Sequence, residues 1–241
     1  MRSLIVIFLI IISPLLVFSQ KKYNESISSA LRILKVHHAS LEKLSPFEEQ
    51  GMENIERLNR KVKEQLLGVL TQQQSLILEK DTIPFFTCES NDKRFAVFNW
   101  EENLGGTFRQ FLNVFYWKNS KGEPNAIFMT EEVAPFEVIY DVKNDQGQVF
   151  YLLLGSGISC NTCRFEKALL LQLNDSSLQE VFSFQIDYRL NNDIKGLSFD
   201  TKSNTLLYEF IEEDCEEEEG ENCWVRGSFQ FDGKTFVENP D

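Results

Sequence analysis

Histidine is nearly missing from this chain. There are two, His37 and His38, and none from residue 81 onward. A Ser-His-Asp or Cys-His site, or a histidine metal cluster, is therefore excluded from everything beyond residue 80. Basic charge is short as well. With 24 Lys+Arg against 37 Asp+Glu the net charge is -13, which argues against nucleic acid, a partner that needs a basic face to neutralise phosphates. No Walker loop or dinucleotide fingerprint occurs. Gly105-Gly106-Thr107 stands alone and reads as a turn. No catalytic residue set and no cofactor is expected. A hydrophobic share of 42% with 25% charged residues is globular, and excludes a collagen-like, wholly disordered or multi-span membrane chain.

Long apolar runs are absent with one exception, at the start. Arg2 supplies a positive end. Residues 4–12 read Leu-Ile-Val-Ile-Phe-Leu-Ile-Ile-Ile, Ser13-Pro14 breaks them, and Leu15 to Ser19 follow. Val17 and Ser19 are small at the third and first positions before a cut between Ser19 and Gln20. These are the three parts of a secretory signal peptide. A spanning helix needs ~20 apolar residues, more than this interrupted run provides. There is no Cys at the cut, so no lipid anchor is expected there. The expectation is residues 1–19 as signal, then a mature periplasmic or secreted protein with no stable membrane insertion.

Charge divides the remainder. Residues 20–80 carry 10 Lys+Arg and 8 Asp+Glu, and residues 81–241 carry 13 and 29. The contrast, +2 against -16, suggests two structural units. In 24–43, Ile27, Leu31, Leu34 and Leu41 recur at helical spacing, with His38 filling the gap as a packing residue. Ser45-Pro46-Phe47-Glu48 predicts a second helix start: Ser45 as cap, Pro46 at the first helical position, Glu48 reaching back. Met52, Ile55, Leu58, Val62, Leu66 and Val69 continue one face, and Gly68 weakens the end. The two helices make a hairpin whose apolar stripe is expected to pack on its own chain.

From Pro84 the period becomes two and the residues Phe, Val, Ile, Tyr and Leu. Strands are predicted at Phe85–Cys88, Phe95–Trp100, Phe108–Trp117 (a long alternating one), Ala126–Met129, Val138–Tyr140, Val149–Leu152, Phe165–Leu173, Val181–Ile186, Leu197–Phe199, Leu206–Phe210, Trp224–Phe231 and Thr235–Val237. Turns fall at Ser90-Asn91-Asp92-Lys93, Asn119-Ser120-Lys121-Gly122, Asn144-Asp145-Gln146-Gly147 and Asp232-Gly233. The fold class is therefore α+β, predominantly antiparallel β: a helical hairpin over 20–80, then a meander of about a dozen short strands over 81–241, sandwich or propeller-like.

Five cysteines lie in the mature chain, where export permits disulfides. Cys160-Asn161-Thr162-Cys163 follows Gly155-Ser156-Gly157 between predicted strands. With no helix start to depress a thiol pKa, the spacing favours a hairpin clip over a thiol-disulfide oxidoreductase. Cys215 and Cys223 bracket seven residues and are expected to close locally, leaving Cys88 as a buried apolar residue. The loop between them belongs to a stretch, 212–221, with eight acidic residues in ten. It lacks the ligand alternation of an EF-hand, so diffuse cation attraction at Asp214, Glu216, Glu217, Glu218, Glu219 and Glu221 is expected rather than a formed metal site.

Two further chemistries are open to these residues. Glu101, Glu102, Glu131, Glu132 and Asp141 are enough carboxylates for a glycan hydrolase, which needs only two. Trp100, Tyr116, Trp117 and Trp224 have the chemistry of a sugar-binding platform, though strand core positions explain them better. The leading reading is an exported, soluble, non-enzymatic binding or interaction protein whose partner is an unidentified protein or glycan. The alternatives are a carboxylate-dependent hydrolase and a thiol-disulfide enzyme using Cys160 and Cys163.

Overall fold

The computed structural model describes residues 28–72, 85–105, 109–130, 134–189, 195–211 and 224–240. The proposed signal 1–19, the acidic stretch 212–221, and Cys215 and Cys223 lie outside them. Two helices come first, α1 over 28–41 and α2 at Gly51–Gln72. Twelve strands follow: β1 Phe86–Glu89, β2 Phe95–Glu101, β3 Phe111–Lys118, β4 Pro124–Met129, β5 Phe136–Lys143, β6 Val149–Ile158, β7 Cys163–Leu173, β8 Leu178–Arg189, β9 Gly196–Asp200, β10 Thr205–Ile211, β11 Trp224–Phe231 and β12 Phe236–Glu238. They form three four-stranded antiparallel sheets, each a simple meander: β1 to β4, β5 to β8, and β9 to β12.

The layers share three cores in series. One face of the first sheet (Ala96, Phe98, Trp100, Val114, Tyr116) packs on Leu34 and Leu41 of α1 and on Ile55, Val62, Leu66 and Leu70 of α2. Its other face (Phe95, Val97, Phe115, Trp117) packs on Ile139, Tyr151, Leu153, Phe165 and Leu169 of the second sheet. The second sheet's far face (Val142, Phe150, Leu152, Ala168, Leu170) meets Leu206, Phe231 and Phe236 of the third. Each wholly buried Leu or Phe contributes about 1.5–3 kcal/mol to holding the layers together.

This layering corrects the expected alternation in β3. Five consecutive residues, Asn113 to Trp117, are buried, because the first sheet is covered on both faces. A second correction concerns α2. Ser45-Pro46-Phe47-Glu48 is a separate turn, and the helix begins at Gly51. The Ser45 carbonyl accepts the Glu48 N–H at 3.3 Å, the Glu48 carbonyl accepts the Gly51 N–H at 2.9 Å, and the Ser45 hydroxyl oxygen takes the Phe47 N–H at 3.3 Å. Gln50 adopts φ 60°, and a Cβ on Gly51 would fall inside the Ser45 carbonyl oxygen. Met52 then lies outside the buried stripe, 53% exposed, and Asn59 lies inside it.

Tight turns occupy one edge of the stack; the other, irregular edge carries the coil residues 102–105, 109–110 and 134–135 beside the β6–β7 turn. Ser120 in the β3–β4 turn donates its N–H to Asp175 in the β7–β8 turn at 3.1 Å, and Asn144 in the β5–β6 turn donates to the Gly233 carbonyl in the β11–β12 turn at 3.1 Å. Asp141 near the end of β5 receives the N–H groups of Asn91 and Asp92 at 3.0 Å each. The opposite edge holds the strand ends Glu101 and Phe111, Ile158 and Cys163, and Ile211 and Trp224. There the Arg109 N–H reaches the Ile158 carbonyl at 3.2 Å.

Candidate functional site

Asn59 is a polar residue on the apolar stripe of α2, and both of its polar side-chain atoms are bonded. Its Nδ2 donates to the Glu102 carbonyl at 2.8 Å, and its Oδ1 accepts the Trp100 indole N–H at 3.0 Å. The amide fixes α2 over the end of β2, at the irregular edge. Just beyond it on the helix, Arg60 and Lys63 turn toward the end of β4. Between helix and sheet lies an open groove of about 350 Å³. Its helical wall is Asn59, Arg60 and Lys63. Phe111 and Leu112 of β3 and Phe128 and Met129 of β4 give it an apolar floor, and Glu102, Gln110 and Thr130 a polar rim.

Lys63 Nζ sits 4.0 Å above the centre of the Phe128 ring, a cation–π contact that holds the ammonium at the groove. Burial, with the Glu56 charge adding to it, raises the Glu102 carboxyl above its ordinary value. The arrangement offers two cations and an aromatic floor: it can hold an anionic group next to an apolar one. The sequence carried a trace of this, an Asn on an apolar stripe with cations one and four residues later. What it did not carry was the arrival of Phe128 beneath Lys63, some sixty-five positions along the chain.

Other singled-out residues take structural posts. Both Asp141 oxygens are occupied by backbone N–H groups, as described above. Asp92 accepts the Tyr151 hydroxyl at 2.7 Å and the Ser90 hydroxyl at 2.8 Å; burial, then this bond, raises the Tyr151 pKa. Glu101 pairs with Arg109 at 3.6 Å; Glu131 and Glu132 lie outside the described residues. Trp100, Tyr116 and Trp117 are buried in the cores, while Trp224 is half-buried at the start of β11. His38 stands edge-on to Phe85 with centroids 4.9 Å apart. Burial lowers its pKa, with Glu42 acting the other way. His37 Nδ1 lies 3.0 Å from Gln65 Oε1.

Cys160 and Cys163 are joined in a disulfide at the β6–β7 turn. Cys88 is a buried free thiol, pushed up to about 12 mainly by that burial, and it donates to the Phe136 carbonyl at 3.4 Å. Among the described residues no three His, Cys, Asp or Glu side chains gather as metal ligands, and no helix is long and apolar enough to cross a membrane. The acidic positions Asp214, Glu216, Glu217, Glu218, Glu219 and Glu221 lie outside that set. No protein-family model matches the chain, and no curated protein matches it.

Proposed function

We propose that this protein is an exported binding module that takes its partner at the irregular edge, in the groove between α2 and the β3–β4 strands. One observation carries the reading. An open cavity with a cationic wall and an apolar floor sits on a molecule whose net charge is -13. The ligand chemistry it suits is an acidic group beside an apolar face, on a protein or a glycan. Export is supported by the three-part N-terminus; intact-mass analysis of the native protein should find a chain starting near Gln20, and a cytoplasmic species retaining Met1 would overturn it. We also read the sheets as a propeller-like array rather than a sandwich. Support comes from three four-stranded meanders meeting through separate cores, where a sandwich has two sheets around one.

Anilinonaphthalene sulfonate, an aromatic sulfonate, tests the groove directly. The mature protein should bind it saturably, with fluorescence enhancement. Charge reversal by Arg60→Glu with Lys63→Glu should weaken binding at least about tenfold, on the scale expected for lost charge-assisted contacts. Lys43→Glu, a reversal away from the groove, should leave it unchanged. Equal loss in both variants, or no saturable binding, sinks the assignment.

A further inference from the structure

As a clip, the Cys160–Cys163 disulfide holds little that is not already held. Strands β6 and β7 pair without a break from Phe150↔Gln172 to Ile158↔Arg164. The turn is closed by backbone bonds from Cys163 N–H to the Cys160 carbonyl at 3.3 Å, and from the N–H groups of Ser159 and Cys160 to the Cys163 carbonyl at 3.2 and 3.4 Å. The cysteines are three apart in sequence, and a crosslink constrains the unfolded chain least when its loop is shortest.

The two sulfurs are not equivalent. Cys163 is 5% exposed, while Cys160 is only partly covered and heads the turn. The Thr162 N–H donates to Cys160 Sγ at 3.3 Å, and the Thr162 hydroxyl lies 3.6 Å from the same sulfur, both on the solvent side. Donors aimed at a sulfur stabilise its thiolate over its thiol. A helix start is one way to supply them, and this turn supplies them from Thr162. Cys160, with its partial exposure, also lies at the irregular edge.

We propose that Cys160–Cys163 is an exchangeable redox pair that oxidises a dithiol on an exported partner protein, with Cys160 as the sulfur that meets the partner. A partner thiolate attacks Cys160 Sγ. The Cys160–Cys163 bond breaks, a mixed disulfide forms on Cys160, and the electron pair leaves on Cys163 Sγ, which takes up a proton. The partner's second thiolate then attacks the partner sulfur of the mixed disulfide. Cys160 leaves as a thiolate under the Thr162 donors and is protonated in turn. The partner dithiol has lost two electrons and two protons, and both now reside on the Cys160 and Cys163 thiols. This inference does not depend on the groove.

The test uses glutathione as probe on the folded mature protein. Incubated with excess reduced glutathione without denaturant, the wild type should gain two alkylatable thiols at Cys160 and Cys163, located by peptide mass, with its circular dichroism unchanged. A pair that stays oxidised until the chain is unfolded is a structural clip, and the proposal fails. In Cys163→Ala, glutathione disulfide should couple to Cys160 about fivefold faster in the folded protein than in the same variant in urea, as a stabilised thiolate requires. An equal or slower folded rate overturns the role given to Thr162. Should that variant not fold, the wild-type reduction alone decides.

Discussion

Single polar side chains do much of the positioning in this protein. Asn59 is the clearest: replacing it by Leu keeps the branched outline but strands the Trp100 indole N–H and the Glu102 carbonyl, both bonded to it now. The loss should be about 2 kcal/mol, read as a lower urea midpoint with unchanged slope. Asn99 and Asn113, paired across β2 and β3, each give an Nδ2 hydrogen bond at 3.1 Å to the chain entering β5, at the Phe136 and Ala134 carbonyls. They register the second sheet against the first. Glu102 yields a pH prediction. Its carboxyl is raised in the folded state by burial and by Glu56, so the folded chain binds a proton more readily than the unfolded chain. That contribution favours folding below the ordinary carboxylate range and is lost as pH rises through the raised value. Glu102→Gln should therefore be more stable than wild type at pH 7, with the difference vanishing in acid; thermal melts across pH check it. Cys88, raised to about 12 and buried, should resist iodoacetamide at pH 8 until the chain is unfolded.

At the scale of elements, two glycines of α2 separate propensity from packing. In a helix interior Ala is favoured over Gly by roughly 1 kcal/mol. Nothing lies within 4 Å of a Cβ added at Gly68, so Gly68→Ala should raise stability by about 0.5–1 kcal/mol. At Gly51 the Ser45 carbonyl occupies that position, and Gly51→Ala must displace the turn. It should destabilise by about 1–3 kcal/mol, opposite in sign to its propensity. The same denaturation series measures both, and equal signs would refute the placement of the 45–51 turn. Strand pairing shows a related division of labour. The turns at Asn119, Asn144 and Asp232 fold on their own side chains: Asn119 Oδ1 accepts the Lys121 and Glu123 N–H groups at 3.0 and 2.8 Å. Asn144 Oδ1 does likewise for Gln146 and Gln148 at 3.1 and 2.9 Å. Asp232 serves Lys234 and Thr235 at 2.8 and 2.9 Å.

For the whole molecule the series of cores sets what can be removed. The helices cover one face of the first sheet, where Ala96, Phe98, Val114 and Tyr116 are fully buried. A chain beginning at residue 85 would expose that face as one apolar patch, the kind that drives association. It should be oligomeric or insoluble by light scattering, and a monodisperse monomer would show that the helices are dispensable.

Local chemistry sufficed for the order of elements, helices then strands, and for Trp224–Phe231, whose limits match β11, because period and turn residues act over a few positions. The Cys160–Cys163 bond was legible for the same reason. Three things were not. The division of twelve strands into three sheets depends on which hydrogen bonds are withheld between β4 and β5 and between β8 and β9, and no local pattern encodes that. Burial of β3 on both faces depends on layers contributed by distant segments. The Ser45 turn displaces the expected helix start because its carbonyl lies where a Gly51 Cβ would stand, a backbone geometry that the residue types alone do not declare. The groove belongs with these: Lys63 and Phe128 become neighbours only when α2 lies across β4. Secondary structure follows from near neighbours in the chain, while sheet membership, exposure and the site follow from neighbours in space.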